Sequence, residues 1–248
     1  MTQKADITFV DKADINQYNR KHGGEVMSNN RSAELEKLFD EWRKRHISED
    51  YSNDKISKNN FIPDGIIDEA SYMQSPTKIL FIAKEAACLD KTKTATAEKN
   101  FETAQKDGFW CRRAAFGDAK AKKGRFPPGL ALLANAILNE NFETPEKDIS
   151  ALRYVAFMNI NKRGGFTECK TKLLRDYAQN YKDLIDREIK IISPDIIVCC
   201  GSGVRDCLSN VDSCKSVPVL EVYHPSYWLV KDTDKLKKLE DEFKSIQR

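Results

Sequence analysis

The sequence lacks any long hydrophobic run. Its apolar stretches, such as residues 79–83, are far shorter than the roughly 18–20 residues that a helix needs to cross a bilayer. The N-terminal residues carry acids early and have no apolar segment typical of a signal peptide. These absences exclude a membrane-spanning chain, and we expect a cytoplasmic protein without a membrane partner.

The sequence also lacks the residue patterns of common metal sites. It has 3 histidines and 7 cysteines, and no two cysteines are separated by two residues. Zinc sites usually show such pairs, so we expect neither a metal nor a cofactor. An odd number of cysteines without a secretion signal indicates free thiols in a reducing compartment. Cys199 and Cys200 are adjacent within an apolar run and are expected in the core.

Charge of neither sign dominates. Lysine and arginine number 41 and the acids 38, which leaves a net charge of +3. Such a small excess does not by itself indicate a nucleic-acid partner, because clustering matters more than the sum. With 40% hydrophobic and 32% charged residues in 248, the composition is that of a globular protein. Nothing in it indicates an oligomer, and we expect a monomer.

Four short apolar runs are typical of strands buried on both faces. Helical patterns separate them, including a long amphipathic stretch at residues 173–190. This alternation predicts an α/β fold of three layers, α/β/α, around a mostly parallel four-stranded sheet. Residues 1–60 are expected to form an N-terminal arm and a helical appendage, and 61–248 the α/β domain. The predicted strands are residues 77–83, 154–160, 195–200 and 217–222.

Ligands of such sheets bind at the carboxyl ends of the strands. Glu85 follows the first strand and is suited to hold a water or stabilise a cation, although a solvated loop acid fits as well. Asn159 and Asn161 offer amides that match the edge of a base, or that tie down a turn. His224 follows the last strand and is placed to donate a hydrogen bond to an oxyanion, unless it is simply packed there.

Several further residues are candidates for contacts with a nucleic acid. Lys162 and Arg163 precede two glycines, and Gly201 and Ser202 form a strand-to-helix turn, as in loops that contact phosphates. Aromatic and basic residues alternate between positions 109 and 126, a pattern suited to stacking on bases and following a phosphate backbone, or to a solvated basic loop with core aromatics. The members of interest are Phe116, Phe126, Lys120, Lys122, Lys123 and Arg125.

Five segments taken together resemble the uracil-DNA glycosylase superfamily. ILFIAKEAAC resembles its first motif, FMNINKRGG its asparagine-containing segment, and VYHPSYW its closing motif. KGRFPPGLALL and PDIIVCCGSGV match the intervening segments, so the resemblance spans about residues 75–230. It implies the fold of that superfamily and removal of uracil or a related base from DNA without a metal. The likeness is greatest to uncharacterised bacterial members.

The resemblance also implies roles for individual residues. Glu85 would position water or stabilise the glycosyl cation, and Asn159, with Asn161 beside it, would read the flipped base. Phe126, or alternatively Phe116, would stack on that base. His224 would hydrogen-bond the leaving base. The predicted contacts with DNA are Lys162, Arg163, Gly201, Ser202 and Ser226. The iron–sulfur branch of the superfamily uses an N-terminal cysteine pair, which this sequence lacks, so no cluster is expected.

Three functions remain open at this level. The first is a DNA glycosylase, and the second a nucleic-acid-binding member of the same fold without that activity. The third is an unrelated α/β hydrolase or nucleotide-binding protein. Excision requires Glu85, Asn159, Phe126 and His224 to converge, with Lys84 pointing away. A second acid near His224 would instead favour the third function.

Overall fold

The computed structural model describes residues 30–49, 60–89, 110–166 and 169–247. Most of the predicted N-terminal arm lies outside these ranges. The described strands are β1 (Gly65–Ile66), β2 (Ile79–Leu89), β3 (Val155–Phe166), β4 (Ile196–Cys200) and β5 (Val219–Val222).

The helices alternate with these strands along the chain. A 3₁₀ helix, Ile149–Tyr154, leads into β3. The described α-helices are α1 (Arg31–Ser48), α2 (Glu69–Met73), α3 (Trp110–Ala115), α4 (Ala119–Lys122), α5 (Phe126–Leu138), α6 (Thr171–Asn180), α7 (Lys182–Ile192), α8 (Val204–Cys207), α9 (Ser213–Ser216) and α10 (Asp232–Ile246). None of them is long and apolar enough to cross a bilayer.

The strands form one mixed sheet in the order β1-β3-β2-β4-β5. The four longer strands are parallel, as expected from their apolar runs. In the register of the central pair, Ala83 lies opposite Asn159 and Glu85 opposite Asn161. The carboxyl ends of the four parallel strands therefore meet along one edge, and that edge carries the candidate residues.

Helices cover both faces of the sheet. Alternate residues of β2, such as Leu80 and Ile82, belong to a core that α1, α6 and α7 complete. Their neighbours, such as Ile79 and Phe81, belong to a second core with α5 and α10. Because successive side chains of a strand point to opposite faces, the continuous apolar run of β2 supplies both cores. Helix α1 thus shares a core with the sheet.

Three predictions about the elements need correction. The sheet has five strands, because the two-residue β1 pairs antiparallel with β3 at its edge and is too short to show any periodicity. The predicted long helix is two helices, α6 and α7, separated at Tyr181. The central strands also run further than expected, to residues 89 and 166, because β2 and β3 continue to pair across register shifts.

A buried polar network joins α1 and α6 to β3. The Tyr177 hydroxyl accepts hydrogen bonds from Trp42 Nε1 at 3.0 Å and from the Lys162 backbone N–H at 3.2 Å. His46 Nδ1 lies 3.0 Å from the Asn60 carbonyl, which can only accept, so Nδ1 carries the proton. His46 Nε2 then accepts from Tyr177 at 2.8 Å. One hydroxyl therefore satisfies three buried groups.

Removing that hydroxyl should destabilise the fold. In Tyr177→Phe the indole N–H, the backbone N–H and the imidazole nitrogen all lose their partner, and we expect a loss of about 2–3 kcal/mol. The exposed Tyr154 offers a matched control, since Tyr154→Phe removes a hydroxyl that water already solvates. Urea denaturation of both variants measures the difference. Equal stability of the two variants would contradict a structural role for the network.

Candidate functional site

The candidate residues form two neighbouring groups at the carboxyl edge of the sheet. The first, called the histidine group, comprises Phe126, Gly201, His224 and Ser226. The second, called the carboxylate group, comprises Glu85, Asn161, Gly165 and Cys169. Lys84 belongs to β2 beside Glu85, and its charge acts on both His224 and Cys169. The parallel strands thus bring together residues that are up to 141 positions apart, from 85 to 226.

The ring of His224 is held in one tautomer. Its Nδ1 lies 3.4 Å from the backbone N–H of Ser226 and 2.9 Å from the Ser226 hydroxyl. Because a backbone N–H can only donate, Nδ1 is the acceptor and the proton of the neutral ring is on Nε2. Burial, followed by the positive charges of Lys84 and Lys235, lowers the pKa of His224 to about 4. At neutral pH this histidine is therefore a neutral hydrogen-bond donor.

Two helices fix the loop that carries His224. The buried Lys235 of α10 donates from Nζ to the Pro225 carbonyl at 3.1 Å and contacts Asp232 at 3.2 Å. From the other side, α5 approaches so closely that a Cβ on Gly129 would lie 2.4 Å from the same carbonyl oxygen. Glycine is required at position 129 because a side chain would collide with the Pro225 carbonyl, and not because the backbone needs a positive φ. The imidazole is thus held by groups from α5, α10 and its own loop.

Phe126 is the aromatic residue that lies beside His224. The two ring centroids are 5.2 Å apart, and the Phe126 ring also meets Phe157 of β3 edge-on at 5.3 Å. The alternative, Phe116, is 56% exposed and lies under the guanidinium of Arg153, 5.3 Å from the ring centroid. Phe116 lines a separate depression with Arg112, Arg113 and Asp118. Of the two predicted aromatics, Phe126 is therefore the one that lies beside His224.

The carboxylate of Glu85 is held by several donors. Asn161 Nδ2 donates to Glu85 Oε2 at 2.8 Å, and the thiol of Cys169 donates to the same carboxylate. Burial, with the negative charge of Glu85, raises the pKa of Cys169 to about 12. A Cβ on Gly165 would lie 2.0 Å from Glu85 Oε1, so the carboxylate rests directly on the glycine backbone. Asn161 therefore positions Glu85, and its Nδ2 is already used.

Asn159 has an uncommitted side-chain amide. Its backbone N–H donates to Asp64 Oδ2 at 2.6 Å, which fixes the residue in β3. Only 4% of the residue is exposed, yet within the described part of the chain its side-chain amide has no hydrogen-bond partner. Its amide atoms are not among the fully buried polar atoms that lack a partner, so they reach solvent and are available to a ligand. The amide combines an acceptor with two donors, as recognition of a base edge requires.

Lys162 and Arg163 are not at the surface, and the prediction of phosphate contacts by their side chains is corrected. Lys162 is 0% and Arg163 2% exposed. Lys162 Nζ contacts Asp64 and lies 3.0 Å from Glu188 Oε1, while Arg163 Nη2 donates to Glu49 at 2.8 Å. The extension of β3 beyond its predicted end carries both cations into the interior, where acids neutralise them.

The remaining predicted DNA contacts differ in accessibility. Ser202 is exposed, but the N–H of Gly201 already donates to the Val222 carbonyl at 2.8 Å. Gly201 has a φ of +103°, in the region that favours glycine. Ser226 is half-buried against His224. Lys122, Lys123 and Arg125 are exposed just before Phe126, whereas the side chain of Lys120 lies outside the described part.

Sequence reasoning missed the residues that support this site. Asp64 and Lys235 come from segments that carry no site motif, and Gly129 lies within the KGRFPPGLALL segment without having been singled out. Asp64 accepts the backbone N–H of Asn159, whereas Lys235 and Gly129 contact the carbonyl of Pro225, next to His224. Two adjacent prolines before Gly129 are the only local signal of a tightly packed helix start. Among the described residues, no three His, Cys, Asp or Glu side chains are arranged to hold a metal ion.

Comparison with known proteins does not identify the family. No model of a known protein family matches the sequence, and no curated protein matches it. The resemblance to uracil-DNA glycosylases therefore rests on the five segments alone.

Proposed function

We propose that the protein binds a base flipped out of DNA and hydrolyses its N-glycosidic bond. The observation that carries the proposal is the neutral His224, whose Nε2–H is a donor beside the ring of Phe126. Negative charge develops on the base as the bond breaks, and a fixed neutral donor stabilises that charge without needing to transfer a proton. Phe126 provides a surface on which the base stacks.

Asn159 and Glu85 complete the proposed reaction. The free amide of Asn159 supplies the donor and acceptor pattern that selects a base edge. The carboxylate of Glu85, held by Asn161 at 2.8 Å, supplies negative charge for the sugar cation and an acceptor for the attacking water. Glu85 and Asn159 lie on the paired strands β2 and β3, and His224 directly follows β5, toward the end of the sheet where such folds bind ligands. Phe126, at the start of α5, packs beside His224.

The surface around the site supports a nucleic-acid substrate. The loop directly after Ser226 presents Tyr227, Trp228 and Leu229, and Trp228 is 70% exposed. Exposed aromatic and aliphatic side chains next to a base pocket are suited to fill the gap that a flipped base leaves in a duplex. Exposed cations precede Phe126 and provide contacts for phosphates; they are Lys122, Lys123 and Arg125.

The direct test is a base-excision assay. Oligonucleotides that contain uracil, hypoxanthine or xanthine are incubated with the full chain, and abasic sites are then cleaved with alkali. Strand cleavage at one of these bases, and not at the matched normal base, is expected. An absence of cleavage with all three, with DNA binding retained, would exclude this activity on them.

Lys84 favours a second function, binding without excision. Excision was expected to require that Lys84 point away from His224. Instead, the side chains of Lys84 and His224 both lie beside Gly201, and the positive charge of Lys84 acts on the imidazole. A lysine in that position would occupy part of the base pocket. Among the described residues, the charged groups that act on His224 are Lys84 and Lys235, and no second acid supports an unrelated hydrolase.

Gly165, which contacts the carboxylate of Glu85, allows a test of whether the position of that carboxylate matters for excision. In Gly165→Ala the new Cβ would lie 2.0–2.6 Å from the Glu85 carboxylate atoms, so the carboxylate must move although its charge is kept. A displacement of about 1 Å is expected to slow excision by roughly 10²-fold. Single-turnover excision measures the loss. Adding Gly165→Ala to Glu85→Ala should produce no further loss, and a further loss would show that the glycine acts independently of Glu85.

A further inference from the structure

Lys84 and His224 converge on one point of the cleft. The Cε atom of Lys84 lies 4.0 Å from the position that a Cβ on Gly201 would occupy. The Cβ and Cδ2 atoms of His224 lie 3.5 Å and 3.9 Å from the same position. Both side chains therefore lie over this glycine, where any larger residue would meet them. The ammonium group and the imidazole belong to one local site.

Lys84 lacks the partners that the other inward lysines have. Lys162 is paired with Asp64 and Glu188, and Lys235 with Asp232 and the Pro225 carbonyl. Lys84 is half-buried, and within the described part of the chain its ammonium has no carboxylate or carbonyl partner. An ammonium without a counter-charge beside the site is available to pair with an incoming anion. The arrangement is one that an anionic ligand would complete.

We propose that Lys84 makes the cleft selective for bases that leave as anions. This inference rests on the proposed excision reaction. The bond between C1′ and the base nitrogen breaks with both electrons passing to the base. Water adds to C1′ and gives up a proton, and the base departs as an anion that is protonated afterwards. The ammonium of Lys84 and the Nε2–H of His224 would act on that same developing charge.

The proposal defines a class of substrate. Bases with a carbonyl next to the glycosidic nitrogen, as in pyrimidine-2,4-diones, place the developing charge on an oxygen that both donors can reach. Alkylated purines that leave as neutral molecules gain nothing from a nearby ammonium. Lys84 is then a catalytic residue of the proposed reaction rather than an obstruction of the pocket. A backbone phosphate is the other anion that the same ammonium would accept, and the test separates the two.

Free bases test the inference without requiring catalysis. The full chain is titrated with 5-nitrouracil, an anion at neutral pH, and with uracil, which is neutral, while the NMR signals of the His224 imidazole are followed. We expect the anion to bind at least about tenfold more tightly, because a unit charge close to an ammonium interacts strongly in a partly buried site. Lys84→Met should abolish the preference for the anion, and Lys84→Arg should retain most of it.

The controls distinguish the possible failures. Lys215→Met, at an exposed position of α9, should keep the full preference of the parent protein. Equal affinity for the two bases in the parent, absence of binding of either base, or a preference that survives in Lys84→Met would overturn the inference. So would displacement of 5-nitrouracil by inorganic phosphate at equal concentration. Excision of uracil from an oligonucleotide, measured separately, reports on the proposed function alone.

Discussion

The Lys162→Met variant should lose about 3–5 kcal/mol of its free energy of unfolding, a large share of the stability of a domain of this size. Lys162 is 0% exposed, and its ammonium contacts the carboxylates of Asp64 and Glu188. Methionine preserves the length of the side chain but leaves Asp64 as a buried charge without a counter-charge. Burial raises the pKa of Glu188 well above its ordinary value, so Glu188 can stay neutral by keeping its proton.

Two further variants make this prediction specific. Lys172 is 87% exposed at its side chain and pairs with Asp176, so Lys172→Met removes a similar side chain and ion pair from the surface. It should change stability by less than about 0.5 kcal/mol. Adding Asp64→Asn to Lys162→Met should restore at least half of the loss, because the amide still accepts the N–H of Asn159 and carries no charge. Urea denaturation measures all three, and similar stabilities of Lys162→Met and Lys172→Met would contradict the argument.

The same lysine shows a limit of sequence reasoning. Lys162 and Arg163 stand before two glycines, a local pattern typical of phosphate-binding loops. Their environment is set by acids from distant segments, Asp64, Glu188 and Glu49, of which the local pattern contains no trace. Lysine and arginine are rarely buried unless an acid pairs with them, and the local sequence does not show whether such an acid is near. Sequence alone therefore could not decide between the two.

The architecture was predictable because it depends on patterns that are strong locally. Four apolar runs indicated strands buried on both faces, and all four are parallel in one sheet. Strand β1 was not predictable, since two residues carry no periodicity, and it forms only because β3 offers an edge. The extensions of β2 and β3 were missed for a related reason. Polar residues such as Lys84 and Asn161 continue the strands, and pairing rather than hydropathy keeps them extended.

The site was predictable to the extent that strand ends define it. His224 and Phe126 meet as the motifs suggested, with ring centroids 5.2 Å apart. The tautomer of His224 and the support from Lys235 depend on hydrogen bonds that no spacing reveals. The orientation of Lys84 depends on Gly201, more than 100 positions along the chain, from 84 to 201. Side-chain direction at the end of a strand is a tertiary property and had to be seen in the structure.

Replacing His224 or Asn159 with alanine should slow base excision by roughly 10²–10³-fold while DNA affinity changes little. Both groups would act on charge that develops at the base in the transition state, and one such donor contributes about 2.7–4 kcal/mol. Phosphate contacts dominate affinity, and neither change touches them.

Because the pKa of His224 is lowered to about 4, excision by the parent should fall only as the pH drops toward that value, where the ring becomes charged.

Single-turnover excision and a binding titration of each variant separate chemistry from affinity. Asn141→Ala provides the control, because Asn141 is exposed and, among the described residues, its side chain bonds only to Thr144 of its own loop. It should excise at the parental rate. If His224→Ala also matched the parent, the imidazole would have no part in the reaction, and the free Nε2–H that motivates the proposed function would lose its meaning. If the parent itself were inactive on every lesion but still bound DNA, the position of Lys84 beside His224 would instead support the binding-only function.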